Sequence, residues 1–393
     1  MESIASRWRA LSGENDWEGL LDPLDYDLRR YIIHYGERAE AAEAAFIGEV
    51  KSENVGLPRY PKSTLFSKVG LELGNPFKYI VKRYIYASTS GIAENDPKGI
   101  AENSNWIGFV AVSTDQGSEV LGRRDILISW RGTIRKAELT IDKKIDLVSA
   151  PTIFGSDNNA KIHHGWYSYY TTAESGSTYN STSSQDQVRE AVSKLIEEYK
   201  EEEISITVTG HSMGGALAIL NATDIVFNGF NKPTTTEDKV CPVTAIVFAS
   251  PRLGDQGFSD LFSGLENLHV LRVRNEKDKV PDLPPGDDYV HVGKELIIDT
   301  TTSPYLKSHI INLKVHELEI YLHGVAGPKE VDGKNELVVD RDIAWVNKQT
   351  DEVKDEYNFV ANWWVKENKS MVQMDDGKWV LNDRDIAEED DYI

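Results

Sequence analysis

From Ile204 to Asn275 five segments alternate between β-rich apolar runs and helix-forming stretches: ISITVTG, SMGGALAILNATDIVFNG, VTAIVFAS, LGDQGFSDLFSGL and LHVLRVRN. Strands that are joined through helices run parallel, because a hairpin turn cannot return the chain to the same end of the sheet. This stretch therefore restricts the chain to an α/β fold with a mostly parallel central sheet flanked by helices. Upstream, YIVKRYIYAST, NWIGFVAVST and DILISWRGT are apolar runs bounded by turn residues and are read as strands, and KELIIDT is read as one more downstream. SSQDQVREAVSKLIEEYKEEE reads as an amphipathic helix, with serine and acids near its start and a lysine near its end, as the helix dipole favours. Residues 1 to about 52 carry apolar residues at helical spacing in LLDPLDYDLRRYIIHYGERAEAAEAAFIG, and VHELEIYLHGVAG predicts a late helix.

GIAENDPKGIAEN, Gly91 to Asn103, repeats one pentapeptide around a Pro and an Asp; a single repeat pair is a surface loop, since solenoids need several units. WVNK, ANWW and WVLND place aromatic residues in the last third that pack on the main body, and the ending RDIAEEDDYI reads as a solvated acidic tail. No Gly/Ser or Pro linker marks a domain border.

Charge and cysteine usage remove several function classes. Lys and Arg total 43 against 64 Asp and Glu, a net charge of -21 that repels nucleic acid phosphates and gives no general attraction to anionic membranes. Cys241 is the only cysteine, which rules out an intrachain disulfide and a cysteine metal cluster. MESIASRWRALSGENDWEGL interrupts its apolar residues with charges, unlike a signal peptide, and no run approaches the roughly 18 to 20 apolar residues of a transmembrane segment. A cytosolic protein is expected, so the sequons at Asn180, Asn221 and Asn368 read as chance matches.

At the first strand-to-helix junction of the alternating region stands Gly210-His211-Ser212-Met213-Gly214, which fits the Gly-x-Ser-x-Gly elbow that exposes a nucleophilic serine on a tight turn. The competing reading is a serine helix cap beside close-packing glycines. A serine hydroxyl becomes a good nucleophile when a histidine takes its proton and a carboxylate orients that histidine. In chain order serine, acid, histidine, both partners lie beyond residue 212. The histidines there are His269, His291, His309, His316 and His323; His316, at a helix start after a loop, is favoured without being singled out. The carboxylates after the LHVLRVRN strand are Glu276, Asp278 and Asp282, with Asp278 just ahead of the Val280-Pro281 turn. Acyl transfer also needs two backbone N–H groups aimed at the oxyanion. Met213 follows the nucleophile, and Thr133 ends the WRGT motif after an earlier strand, although Arg131 and Thr133 also read as a surface charge and a turn residue.

With these motifs in order, the chain resembles the class 3 lipases, the fungal triacylglycerol lipase family, and most closely its plant cytosolic phospholipase A1 branch. The resemblance rests on ISWRGTIRKAELTID, KIHHGWYSYY, ITVTGHSMGGALA, FASPRLGDQGF, VRNEKDKVPDLPP and VHELEIYLHGVAG. It implies one α/β-hydrolase domain over residues 1–393, with 1–105 an N-terminal helical and strand extension and 327–393 a C-terminal extension. It places the nucleophile on Ser212, the acid on Asp278, the base on His316 and the oxyanion donors on Thr133 and Met213, and it makes residues 134–153 a lid. The implied reaction is sn-1 ester hydrolysis of a glycerolipid at a lipid surface, with no metal or organic cofactor and the headgroup open. Two other readings fit the same chain: a lipase-fold receptor that hydrolyses nothing, and a soluble short-chain esterase. Oligomeric state is not legible.

Overall fold

A computed structural model describes residues 3–88, 104–135, 138–234, 239–308, 312–364 and 371–393. The pentapeptide repeat, His309 and the Asn368 sequon lie outside the described residues. One seven-stranded sheet organises the chain, with strands in sequence order across it: β1 (Tyr79–Ser88), β2 (Ser104–Ser113), β3 (Arg124–Trp130), β4 (Ile204–His211), β5 (Val243–Phe248), β6 (Leu268–Asn275) and β7 (Lys294–Ile298). The first three pair antiparallel and β3 to β7 pair parallel, so the sheet is mostly parallel as the alternation from Ile204 requires. Register brings Trp130 opposite Gly210 and Gly210 opposite Val247. The carboxyl ends of the three central strands therefore sit side by side, where parallel α/β sheets place their sites.

Alternate residues of these strands go to opposite faces, and the hydrophobic core divides accordingly. Helices α1 (Tyr26–Ala44), α2 (Met213–Phe227) and α3 (Leu318–Ala326) pack on the sheet beside the site. On one face Leu127, Ile246 and Phe248 pack with Tyr31 and Ala39 of α1 and Leu322 of α3. On the other, Ile126, Ile128, Val208 and Val247 pack with Ala216 and Leu220 of α2 and Val192 of the helix Ser184–Glu198. Because α2 is walled in on all sides it carries almost no polar face, which explains its run of Ala, Leu and Ile.

A polar cluster anchors α1 to the sheet. Asp125, fully buried on β3, accepts hydrogen bonds from Tyr35 (3.0 Å), Tyr79 (2.7 Å), Ser205 (2.6 Å) and Thr207 (2.8 Å), with the Arg123 guanidinium at 3.4 Å. Every acceptor lone pair of the carboxylate has a partner, the condition under which a buried charge is tolerated.

The acidic ending is packed, contrary to the expected solvated tail. Tyr392 is 2% exposed, the Tyr86 hydroxyl donates to its carbonyl at 2.5 Å, and the Arg384 guanidinium lies 3.7 Å above its ring. Its acids face solvent while the one tyrosine docks, a division that overall acidity conceals. Residues 339–364 also pack back: Trp364 donates to the Ala44 carbonyl at 3.1 Å, and buried Lys348 pairs with Glu40 of α1 at 3.1 Å. Trp379, by contrast, is exposed. Among the described residues no helix is long and apolar enough to cross a membrane.

Candidate active site

Ser212 closes β4 and begins α2 with φ 57° and ψ −126°, a conformation that an L-residue adopts only under constraint. Two glycines make the turn possible. A Cβ on Gly210 would meet the Gly214 carbonyl oxygen at 2.2 Å, and one on Gly214 would meet the Trp130 carbonyl oxygen at 2.3 Å. Although Ser212 occupies the N-cap position, its side chain makes no cap hydrogen bond. Its Oγ lies 2.9 Å from His316 Nε2 instead, which decides against the cap.

His316 ends the short 3-10 turn Asn312–His316 ahead of α3 rather than beginning a helix. Its Nδ1 lies 2.7 Å from Asp278 Oδ2, an oxygen that also accepts from the Tyr321 hydroxyl at 2.6 Å, while Oδ1 accepts from the Val280 amide at 2.9 Å. Burial raises the Asp278 carboxyl, but the hydrogen bonds from His316 and Tyr321 outweigh it and hold the group below the usual carboxylate range. Burial pushes His316 below the usual imidazole range despite the opposing pull of Asp278, which favours the neutral ring whose Nε2 can take a proton. The competing candidates go elsewhere. Glu276 pairs with Lys277 and Asp282 with Arg274, both at 2.9 Å; His323 bonds Ser303 at 2.7 Å; His269 faces Asp16; and His291 is held neutral by burial.

Beyond the β3–β4 pairing, which ends with Trp130 opposite Gly210, Thr133 lies beside Met213. The Thr133 hydroxyl donates to Asp142 at 2.8 Å and reaches the Met213 sulfur at 3.5 Å. Among the described residues neither the Thr133 nor the Met213 amide finds an acceptor, as two oxyanion donors require. Arg131, which also read as a surface charge, is fully buried and forms two hydrogen bonds with the carboxylate of Glu138, which in turn accepts the Ile134 and Arg135 amides at 2.8 and 2.9 Å. This pair stiffens the chain just after Thr133. Within residues 134–153 the structure places a helix (Glu138–Asp142), a strand (Leu147–Ser149) and a second helix (Pro151–Phe154), with Leu139 and Ile145 exposed.

A cavity of about 250 Å³ opens beside Ser212, walled by Trp166, Met213, Pro251, Val280 and the Leu283 to Pro285 turn. Lys143 brings the one positive charge among the described residues lining it. A larger recess of about 330 Å³, bounded by Arg30, Glu37, Arg341 and Trp345, shares no residue with this site. Among the described residues no group of three or more His, Cys, Asp or Glu is arranged to hold a metal ion.

Asp142, Tyr321 and Glu43 also touch these residues without having been among the candidates read from the sequence. Asp142 grips Thr133 and also accepts from Trp166 Nε1 at 2.9 Å. Tyr321 could have been found as the tyrosine that follows His316 in VHELEIY. Glu43, 168 positions from its partner, could not: its Oε1 lies 2.9 Å from His211 Nδ1, and His211 Nε2 lies 2.7 Å from the His316 carbonyl oxygen. Burial alone would lower the His211 pKa, but the Glu43 carboxylate and the His316 carbonyl reverse this and raise it to about 9. A group with a raised folded pKa adds stability that is fully present below its unfolded value, roughly 6.5, and is lost as pH rises through about 9. The contribution is on the order of 3 kcal/mol. The thermal midpoint of the wild type is therefore expected to fall more steeply between pH 7.5 and 10 than that of His211→Asn; parallel curves would contradict the assignment.

A mostly parallel sheet with an elbow serine at the carboxyl end of a central strand defines the α/β-hydrolase class. Within that class the chain belongs to the class 3 lipase family: residues 127–287 match Lipase (class 3), and the whole chain matches curated members. It is 48% identical to phospholipase A1-IIgamma of Arabidopsis thaliana over 99% of this chain and 95% of that protein. It is 46% identical to phospholipase A1-II 6 of Oryza sativa subsp. japonica over 99% and 97%. Among solved structures, nonglycosylated Yarrowia lipolytica LIP2 lipase aligns with a TM-score of 0.46 at 18% identity, covering 70% of this chain and 81% of that one.

Proposed function

We propose that the protein is a serine acyl-ester hydrolase that works from the cytosol at a lipid surface and releases the sn-1 fatty acid of a phospholipid. The observation that carries this reading is the unbroken hydrogen-bond line from Ser212 through His316 to Asp278, at 2.9 and 2.7 Å, at the mouth of a mostly apolar cavity. As Oγ attacks the ester carbonyl carbon, its proton passes to His316 Nε2, and Asp278 holds the tautomer and stabilises the imidazolium. The tetrahedral oxyanion accepts from the Thr133 and Met213 amides. His316 then protonates the leaving alcohol oxygen, and a water deprotonated by the same base splits the acyl-enzyme to free the fatty acid. Because Glu43, Thr133, Ser212, Asp278 and His316 all meet at this point, residues 43–316 act as one catalytic unit in this reading.

The relatives named phospholipase A1 favour a phosphate-bearing headgroup, and Lys143 gives it a physical partner in a chain of net charge -21. The test is a panel of phosphatidylcholine, phosphatidylglycerol, diacylglycerol and monoacylglycerol with identification of the acyl position released. Expected are sn-1 fatty acid and a lysophospholipid that keeps its sn-2 chain. Lys143→Gln should raise KM about three- to tenfold for phospholipids with little change for monoacylglycerol, the scale of one partly exposed charge contact. Equal effects on charged and neutral lipids would remove Lys143 from headgroup selection, and no acyl release from any lipid would overturn the hydrolase reading.

A further inference from the structure

The general base depends on more than its side-chain partners. His316 stands at the end of a 3-10 turn. Its carbonyl oxygen lies 2.7 Å from Nε2 of His211, the residue immediately before the nucleophile. Glu43, at the end of α1, holds the other face of the same ring at 2.9 Å. We infer that Glu43 and His211 form a positioning pair that locks the main chain of the general base to the nucleophile turn; the inference rests on the hydrolase reading above.

The geometry leaves His211 little freedom. Both ring nitrogens face fixed acceptors, a carboxylate and a carbonyl, so both N–H groups are used only when the ring is an imidazolium. Glu43 is fixed in its turn: a Cβ on Gly132 would lie 2.9 Å from its Oε1 and 3.0 Å from the His211 carbonyl oxygen. The carboxylate is thus wedged beneath the loop that carries Thr133, against the turn that carries Ser212. One helix end therefore touches the segments that supply oxyanion donor and nucleophile, and reaches that of the base through His211. This helix lies outside the span 127–287 that matches the family, and its attachment to the sheet through Asp125 is independent of the site.

The charge on His211 has a second effect. The groups facing it are Glu43 on α1, His316 with ring centroids 4.7 Å apart, Glu317 in the same turn, and Tyr321 of α3 with ring centroids 6.4 Å apart. Burial is the main cause that lowers the His316 pKa and Asp278 opposes it, while the neighbouring cation of His211 adds to the lowering and Glu43 opposes more weakly. Removing the cation therefore moves His316 toward protonation, and the acid limb of kcat/KM shifts to higher pH.

The test uses the full chain and a soluble short-chain ester, with His211→Leu, His211→Gln and Glu43→Gln. Leucine removes both donors; glutamine at 211 keeps one donor for the His316 carbonyl but carries no charge. Expected for His211→Leu is a kcat about 10- to 100-fold lower with KM within about threefold, the scale of a slightly misplaced catalytic group. His211→Gln should recover part of kcat yet share the displaced acid limb, and Glu43→Gln should displace it in the same direction. A purely structural ion pair would lower the melting temperature without moving the pH profile. Wild-type kcat and pH profile in the folded His211→Gln and Glu43→Gln proteins would overturn the inference, even if His211→Leu did not fold. Turnover by wild type that is lost in Ser212→Ala separates this outcome from failure of the hydrolase reading.

Discussion

Replacing Ser212 with alanine is expected to lower kcat for ester hydrolysis by roughly 10⁴- to 10⁶-fold. The backbone at this position already holds φ 57° without help from the side chain, and the hydroxyl caps nothing. Alanine keeps the Cβ that the turn accommodates, so the fold and the apolar cavity should persist. What disappears is the atom that forms the acyl-enzyme in the proposed mechanism. The residual rate would come from the oxyanion amides and from binding, which accelerate attack by water weakly. The measurement is acyl release from phosphatidylcholine with purified protein, alongside labelling by a serine-reactive phosphonate, which the variant should refuse. Activity within tenfold of wild type would exclude Ser212 as the nucleophile.

The second large effect concerns Asp278. Its Oδ2 accepts from both His316 Nδ1 and the Tyr321 hydroxyl, so the position offers no room for a donor. In Asp278→Asn an amide that turns its NH2 toward His316 favours the tautomer with the proton on Nε2, the nitrogen that must receive the serine proton. The expected loss is about 10⁴-fold in kcat, with KM for a soluble ester nearly unchanged. Phosphonate labelling should slow in parallel, because it needs the same activated hydroxyl. Since the two residues act as one unit, the double variant with Ser212→Ala should be scarcely slower than Ser212→Ala alone. Additive losses would mean that Asp278 acts on something other than the serine.

The strands and helices of the parallel half were legible because each apolar run is long and each boundary carries a glycine or a polar turn. Ser212 was legible for a local reason, since two glycines at fixed offsets are what the tight turn demands. Its partners were different. Spacing left three carboxylates and five histidines nearly tied, with His316 slightly favoured, and the family resemblance selected Asp278 and His316; the structure joins both to Ser212 in one hydrogen-bond line. Arg131 and Glu138 were not legible because a charged pair buried together has the same composition as two solvated charges. Tyr392 was lost in the same way among acids that do face water. Glu43 lay beyond any pattern argument, because its relation to His211 exists only after α1 has packed on the sheet.

The order in which these parts occur along the chain governs when chemistry can begin. During synthesis from the amino terminus, Glu43, Thr133 and Ser212 emerge well before Asp278, and His316 comes later still, followed by Tyr321. In the proposed mechanism a nascent chain that has completed the turn at Ser212 holds a serine with no base to activate it. Parallel strands also close slowly, since each pairing waits for an intervening helix. In the proposed mechanism acyl transfer therefore waits until the chain has been made through Tyr321 and α3 has packed against α1.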